Sequence, residues 1–443
     1  MSRRREPEVA SIASVTHDGR GIASLPGKKV FVAGALAGET VRFQRRKRRR
    51  NFDEAELLEV LEPVAERIEP RCAAYGRCGG CSLQHITAAS QREIKMQSLV
   101  ESLERIGQVT PDRWLVPVYC DDVNGSWNYR RRARLAVKDV HAKGRVLVGF
   151  RERHAPFIAD MQRCEVLGEP VASLLPALSE LIGRLSIRQR LPQIEVAIAD
   201  NNTELVFRVL DPPSEQDRAM LANFAAQYDL RVALQSGGLD SVEALTENPG
   251  SLYYRLDEFD VELEFDANDF VQVNAKVNER MVSRTIELLE PTKDNRVLDL
   301  FCGIGNFSLP LARRAGHVLG LELSVAQVER AKRNATRNNI DNSEFACADL
   351  SELDGSERWL NGEWDRVLLD PARSGADAVA RHMRRTGAAR VVYVSCHPGT
   401  LARDAAELVG NQGYRLAAAG IIDMFPHTAH VESIAVFEKI IKK

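Results

Sequence analysis

Cys396 follows the apolar run Arg390-Val391-Val392-Tyr393-Val394, in the segment Val394-Ser395-Cys396-His397-Pro398. The run reads as a short buried strand, which Pro398 and Gly399 then stop. A thiol at a strand's carboxyl end, beside a turn, lies where an open α/β sheet exposes its active groups. Its chemistry would be nucleophilic attack through the thiolate. A lone cysteine is more often a small buried hydrophobe, so the case for a nucleophile rests on its surroundings.

Those surroundings repeat one arrangement. Arg296 to Leu300 is an apolar run containing Asp299, followed by Phe301-Cys302-Gly303-Ile304-Gly305-Asn306-Phe307. Glycines let the backbone close on a ligand, and the helix that follows offers free N–H groups. Val318 to Glu322 then puts a carboxylate about twenty residues on, where nucleotide-binding sheets hold ribose hydroxyls. A dinucleotide fingerprint would need a third glycine where Ser308 stands, which favours S-adenosylmethionine over NAD. Phe345 to Asp349 ends a third strand, near where an adenine would lie. A fourth ends in Asp370-Pro371-Ala372-Arg373, and Cys396 ends the fifth. The reactive candidates thus share one rim of a sheet.

A second chemistry is carried by Cys72, Cys78 and Cys81, three thiols within ten residues. Gly79 and Gly80 let the backbone wrap tightly around a ligand. Three thiols leave a tetrahedral or cuboidal centre one ligand short. Cys164 is the best candidate for the fourth, with Cys120 as competitor. Zinc and iron–sulfur centres both suit four cysteines. The spacing is not the C-x3-C-x2-C of radical S-adenosylmethionine enzymes, so a structural or redox-sensing role is expected. Clustering in one place, in a reducing compartment, excludes a disulfide framework.

The elements that must position these groups fill a chain of 443 residues, long enough for two or three domains. Its composition, 44% hydrophobic and 28% charged, is that of an ordinary globular protein. Met1-Ser2-Arg3-Arg4-Arg5 is basic without an apolar core after it, and no uncharged apolar run could span a bilayer. A cytoplasmic protein without a membrane partner is expected. Short strand signals at Val9–Val15, Gly21–Ser24, Lys29–Val32, Glu39–Gln44 and Glu54–Leu61 suit a small closed barrel of the OB kind. The net charge of -2 hides residues 41–50, where seven basic side chains stand without an acid. Such a run is often only a solvated face; between strands it reads as a basic edge, for which nucleic acid is the natural partner. Residues 88–107 read as an amphipathic helix with a glycine stop. Trp127 to Leu135 mixes arginines with aromatics. It reads either as a strand that tracks a nucleic-acid backbone or as an edge strand guarded by charge. Val146 to Arg151 completes a hairpin, and Val171 to Phe265 alternates helix and strand patterns.

Two resemblances sharpen the reading. Asp18-Gly19-Arg20-Gly21-Ile22-Ala23, Val30-Phe31-Val32 and Gly38-Glu39-Thr40-Val41 are similar to a TRAM domain, which implies an RNA-binding module. Gln272, the turn from Asp299 to Phe307, Glu322, Asp370-Pro371-Ala372-Arg373-Ser374-Gly375, Ser395-Cys396-His397-Pro398 and His430-Val431-Glu432-Ser433 resemble the RNA uracil-C5 methyltransferase family. That likeness covers nearly the whole chain. Ala372 stands where some members have a second proline.

The resemblance implies a multi-domain α/β protein. An OB-like TRAM β-barrel would span 8–66 and an α+β iron–sulfur middle domain 67–265. A Rossmann-like class I S-adenosylmethionine-dependent methyltransferase domain would span 266–443, with residues about 97–126 packing with it. Cys72, Cys78, Cys81 and Cys164 would hold a [4Fe–4S] cluster in preference to zinc. Gln272, Phe301, Asn306, Glu322, Asp349 and Asp370 would hold the cofactor.

The expected chemistry is covalent catalysis. Cys396 adds to uracil C6, C5 takes the methyl group, Glu432 removes the C5 proton and Asp370 orients the reacting groups. A thiol suits this as a soft nucleophile and, when its pKa is lowered, a competent leaving group. Within the family the member with both TRAM module and cysteine cluster methylates a uridine in 23S ribosomal RNA, so that RNA is the implied partner and DNA is not. The alternatives are a tRNA uracil-C5 methyltransferase and a metal-stabilised RNA-binding protein with a degenerate methyltransferase fold.

Overall fold

The computed structural model describes residues 6–441 except 17, 123, 154, 247–249 and 362. The basic segment Arg3 to Arg5 lies outside the described residues. The chain forms two compact units. One comprises Met1–Ser98, Arg151–Ala159 and Phe425–His430; the other comprises Leu99–Phe150, Asp160–Met424 and Val431–Lys443. The expected boundaries at 66 and 265 differ from this division: residues 67–98 group with the barrel, and the rest of the middle segment, apart from 151–159, with residues 266–424.

In the first unit, β1 (Glu8–Val15), β2 (Arg20–Ala23), β3 (Lys29–Ala33), β4 (Thr40–Arg48) and β5 (Phe52–Glu62) close a barrel in the order β1-β2-β3-β5-β4. Alternate residues turn inward, and Ile12, Val30, Val32, Val41 and Phe43 fill the centre. Strand β4 runs past the expected Gln44 to Arg48 because β5 meets its cations with acids. Arg42 pairs with Glu59, Arg46 with Glu56, and Arg45 with Glu8 and with buried Asp53 at 2.8 Å. Hydrogen bonds from Lys28 and Arg45 hold Asp53 down to about 2. The basic run is thus largely neutralised by its partner strand. Lys47, Arg48 and Arg50 remain exposed and without an acidic partner among the described residues.

Helix α1 (Ala88–Ser102) ends in a wider π-helical turn, Leu103–Gly107. The second unit continues with β6 (Arg113–Trp114), β7 (Arg132–Val140), β8 (Arg145–Gly149), α2 (Val171–Arg184), β9 (Gln193–Ile198), β10 (Thr203–Arg208), α3 (Glu215–Tyr228), β11 (Arg231–Gln235) and β12 (Val242–Ala244). Its first sheet has the order β12-β11-β10-β9-β7-β8. Strand β7 lies inside this sheet, so it is not an edge strand guarded by charge, and its extended part begins only at Arg132. The arginines here are engaged within the fold: Arg131, just before β7, with Asp200, Arg132 with the Ala267 carbonyl, and Arg134 with Glu195.

A hairpin, β13 (Leu252–Leu256) and β14 (Val261–Phe265), precedes α4 (Ala275–Leu289), whose N-terminus Asn274 caps. Then follow β15 (Arg296–Leu300), α5 (Ser308–Ala312), β16 (His317–Glu322), α6 (Val325–Arg337), β17 (Ser343–Cys347), β18 (Arg366–Leu369), α7 (Asp377–Ala380), β19 (Arg390–Ser395), α8 (Pro398–Gly410), β20 (Tyr414–Ile422) and β21 (Glu432–Lys439). The second sheet has the order β17-β16-β15-β18-β19-β21-β20-β6. Strands β15 to β19 are parallel, β21 runs against β19 and β20, and β6 adds beside β20. Strands β15, β18 and β19 are apolar because neighbours cover both faces. Strand β17 buries only Phe345, as an edge strand can. Among the described residues no helix is long and apolar enough to cross a membrane.

Candidate active site

Strands β19 and β21 meet in antiparallel register, with Ser395 opposite Ser433. Cys396 follows Ser395 and Glu432 precedes Ser433, and the Glu432 carboxyl acts electrostatically on the Cys396 thiol. Pro398 does more than stop the strand. It opens α8, where a missing N–H costs nothing, and His397 caps that helix by accepting the Thr400 N–H at 3.2 Å. Cys396 is therefore fixed between a strand end and a helix start.

Burial pushes the half-buried Cys396 thiol up to about 11; Glu432 and Asp370 push the same way, and Arg373 opposes them. The lowered pKa expected of an activated thiol is not found, because three of its four strongest influences disfavour the anion. Glu432 is buried, and burial raises it well above the usual carboxylate range, with Asp370 adding and Arg373 opposing. Asp370, after β18, is pushed up to about 7 by burial and then by Asp299. Arg373 is a cation that acts on both Cys396 and Glu432. Its loop is held from α8, where Thr400 donates to the Arg373 carbonyl at 3.3 Å. Buried Asp404 accepts from the Ala376 N–H and the Tyr393 hydroxyl, each at 2.7 Å.

The glycine turn lies between β15 and α5. Phe301, Gly303 and Gly305 all have positive φ, which the two glycines take without strain and Phe301 does not. Glu322 accepts the Gly303 N–H at 3.2 Å and the Ser324 N–H at 3.0 Å, tying the turn to the end of β16. Asn306 pairs with Asn278 and Tyr254. Asp299 is fully buried. It accepts from Ser308 through one oxygen, while the other has no partner among the described residues, and burial lifts it to about 7. Gln272 is half-buried, and Asp349 is exposed and accepts from the Ser351 N–H and hydroxyl. A turn with an unpartnered buried carboxylate oxygen fits a ligand bearing positive charge and hydroxyl donors.

Cys72, Cys78 and Cys81 share a loop of the first unit, and Cys164 lies in the second unit. The Gly80 N–H points at the Cys78 sulfur at 3.4 Å. Burial raises the Cys78 thiol, neighbouring Cys72 adds to this, and Arg153 opposes it. Among the described residues no group of three or more His, Cys, Asp or Glu side chains is assembled to hold a metal ion. A backbone N–H to sulfur, with a cation nearby, is nonetheless the kind of donor set that steadies cluster thiolates.

The profile of tRNA (Uracil-5-)-methyltransferases matches residues 128–440. The chain belongs to that family. This methyltransferase is 51% identical over 446 residues, 99% of either chain, to 23S rRNA (uracil(1939)-C(5))-methyltransferase RlmD of Alkalilimnicola ehrlichii. It is 49% identical to the protein of the same name from Nitrosococcus oceani, over 98% of this chain and 97% of the relative. The methyltransferase shares its fold with Pyrococcus abyssi tRNA (uracil-54, C5)-methyltransferase in complex with S-adenosyl-L-homocysteine, with a TM-score of 0.76 at 24% identity over 97% of this chain and 99% of that one.

Several residues of the methyltransferase site escape sequence reasoning. Asp299 carries a signal, an acid inside an apolar strand, but its lone buried oxygen does not show in the sequence. Asn278 and Tyr254 lie 28 and 52 positions from Asn306 and carry no motif.

Proposed function

We propose that this protein transfers a methyl group from S-adenosylmethionine to C5 of a uridine in 23S ribosomal RNA. The observation that carries the reading is that Glu432 acts on Cys396 at the meeting ends of β19 and β21, in a chain about half identical to two proteins named for that reaction. Uracil C5 is a weak nucleophile until a group adds at C6. In the attacking form, the Cys396 thiolate bonds to C6 and pushes the ring electrons to the C4 oxygen, so that C5 becomes nucleophilic. S-Adenosylmethionine would supply the electrophilic methyl group, its S–CH3 bond breaking to leave S-adenosylhomocysteine. C5 takes that methyl while still holding its proton. Glu432 then removes the C5 proton, the C5–C6 double bond re-forms and the thiolate leaves. The raised pKa of Glu432 makes its carboxylate a stronger base for that step. Asp370 and Arg373 flank both groups and orient the ring. The cofactor would be held by Gln272, Phe301, Asn306, Glu322, Asp349 and Asp370.

C6 is hidden in stacked RNA, so the target base must be unstacked before the thiol can reach it. The five-stranded barrel, read as a TRAM module, supports RNA binding through Lys47, Arg48 and Arg50. Cys72, Cys78 and Cys81, with Cys164, are the ligands we assign to a [4Fe–4S] cluster. Anaerobically purified protein should be brown and bleach on reduction, whereas a colourless protein containing zinc would overturn the iron assignment.

The test of the reaction is transfer of labelled methyl to 23S ribosomal RNA and to tRNA, both from cells lacking uracil-C5 methylation. 5-Methyluridine in ribosomal RNA alone supports the proposal. Label in tRNA alone would overturn the substrate and keep the chemistry.

A further inference from the structure

Asn306 stands in the glycine turn, and its amide is not free to rotate. Its carbonyl oxygen accepts from the Tyr254 hydroxyl and from the Asn278 amide, each at 2.9 Å, and its NH2 group donates to the Asn278 carbonyl at 3.0 Å. Asn278 is on α4 and Tyr254 on β13, so two elements outside the turn clamp one side chain. The hairpin bearing Tyr254 is itself fixed. The Glu262 and Glu264 N–H groups donate to Asn338 and Asn334 of α6 and its end, at 2.7 and 2.9 Å. Asn334 also donates to the Ile304 carbonyl within the turn, at 3.1 Å. Both partners of Asn306 are almost fully buried. With its carbonyl oxygen occupied twice, Asn306 keeps one N–H with no acceptor among the described residues.

We propose that Tyr254 and Asn278 are positioning residues for cofactor binding, holding Asn306 so that its remaining N–H is presented as a donor to an acceptor atom of S-adenosylmethionine. This rests on the reading of Asn306 as a cofactor contact. The hairpin β13–β14 would then set the affinity of the turn without touching the ligand.

The test compares Tyr254→Phe, Asn278→Ala, Asn306→Ala and the double variant Tyr254→Phe/Asn306→Ala, with Tyr253→Phe as the neighbouring control. S-Adenosylhomocysteine affinity is measured by calorimetry, turnover is measured with 23S RNA, and melting temperature is followed for each protein. Loss of one well-placed hydrogen bond corresponds to about a three- to tenfold change. Tyr254→Phe should raise Kd and the KM for S-adenosylmethionine by that factor, with kcat within about twofold. On the Asn306→Ala background the same change should have little further effect. Full additivity of the two losses, or an unchanged Kd in folded Tyr254→Phe, would overturn the positioning role. An unchanged Kd in Asn306→Ala would instead remove Asn306 as a cofactor contact, and this proposal with it.

Discussion

Cys396 follows Ser395 and Glu432 precedes Ser433, the last pair between β19 and β21, and the buried Glu432 carboxyl acts on the Cys396 thiol. In the proposed reaction Cys396 would attack C6 and Glu432 would remove the C5 proton, so the two groups would serve adjacent ring atoms. Replacing Cys396 by Ala should lower turnover at least about a thousandfold. It should leave S-adenosylhomocysteine affinity within about twofold, measured by calorimetry, because the glycine turn belongs to other strands.

The thiol's surroundings give a second expectation. With its pKa pushed up to about 11, Cys396 is overwhelmingly protonated at neutral pH. Alkylation by iodoacetamide, followed residue by residue by mass spectrometry, should be slower at Cys396 than at exposed Cys347. The Cys396 rate should climb about tenfold per pH unit between pH 7 and 9, since only the thiolate reacts. A rate already flat above pH 7 would show a thiol that is acidic in the free protein.

Asp299 links the cofactor turn to stability. Its folded pKa, about 7, lies above the ordinary 3.8. Between those values the folded state keeps a proton that the unfolded chain releases, so stability falls as pH rises through this window and levels off above about 7. Asp370 acts in the same direction. Asp299→Asn keeps the shape and removes the ionisation. Melting curves from pH 4 to 8 should show the variant losing less stability than the wild type, by on the order of 2–4 kcal/mol. Equal slopes would mean that Asp299 is not buried in the manner described.

The barrel makes a prediction about salt. Lys47, Arg48 and Arg50 carry the charge that β5 leaves uncompensated. Changing all three to Glu should weaken RNA binding and reduce the slope of log affinity against log salt by about 2–3, or roughly 0.7–0.9 per lost phosphate contact. Changing Arg42 and Arg46, whose charge Glu59 and Glu56 already meet, should do much less. Filter binding with a 23S fragment across a salt series measures both.

Much of this architecture is legible before any coordinates. The barrel strands announce themselves by alternation, and Asp370 and Cys396 by their positions at strand ends. What the sequence does not carry is pairing. The run from Arg42 to Arg50 looks like an open basic face until Glu54, Glu56 and Glu59 are seen across the ladder. Trp127 to Leu135 looks like one strand, yet the extended part begins at Arg132, and its arginines face acids and carbonyls from distant segments. The acidity of Cys396 could not be read either, since it depends on burial first and then on three side chains distant in sequence. The asparagine clamp on Asn306 is likewise tertiary.

The most direct measurement is the intact mass, under denaturing conditions, of Glu432→Gln protein after incubation with 23S RNA fragment and S-adenosylmethionine. With the base removed, the methylated intermediate should accumulate. The protein should carry RNA in a covalent bond that survives denaturant, mapped after digestion to the peptide containing Cys396 and bearing an added methyl on the uracil. Absence of any adduct while turnover persists, or an adduct on another residue, would contradict the assignment of Cys396 as nucleophile and Glu432 as base.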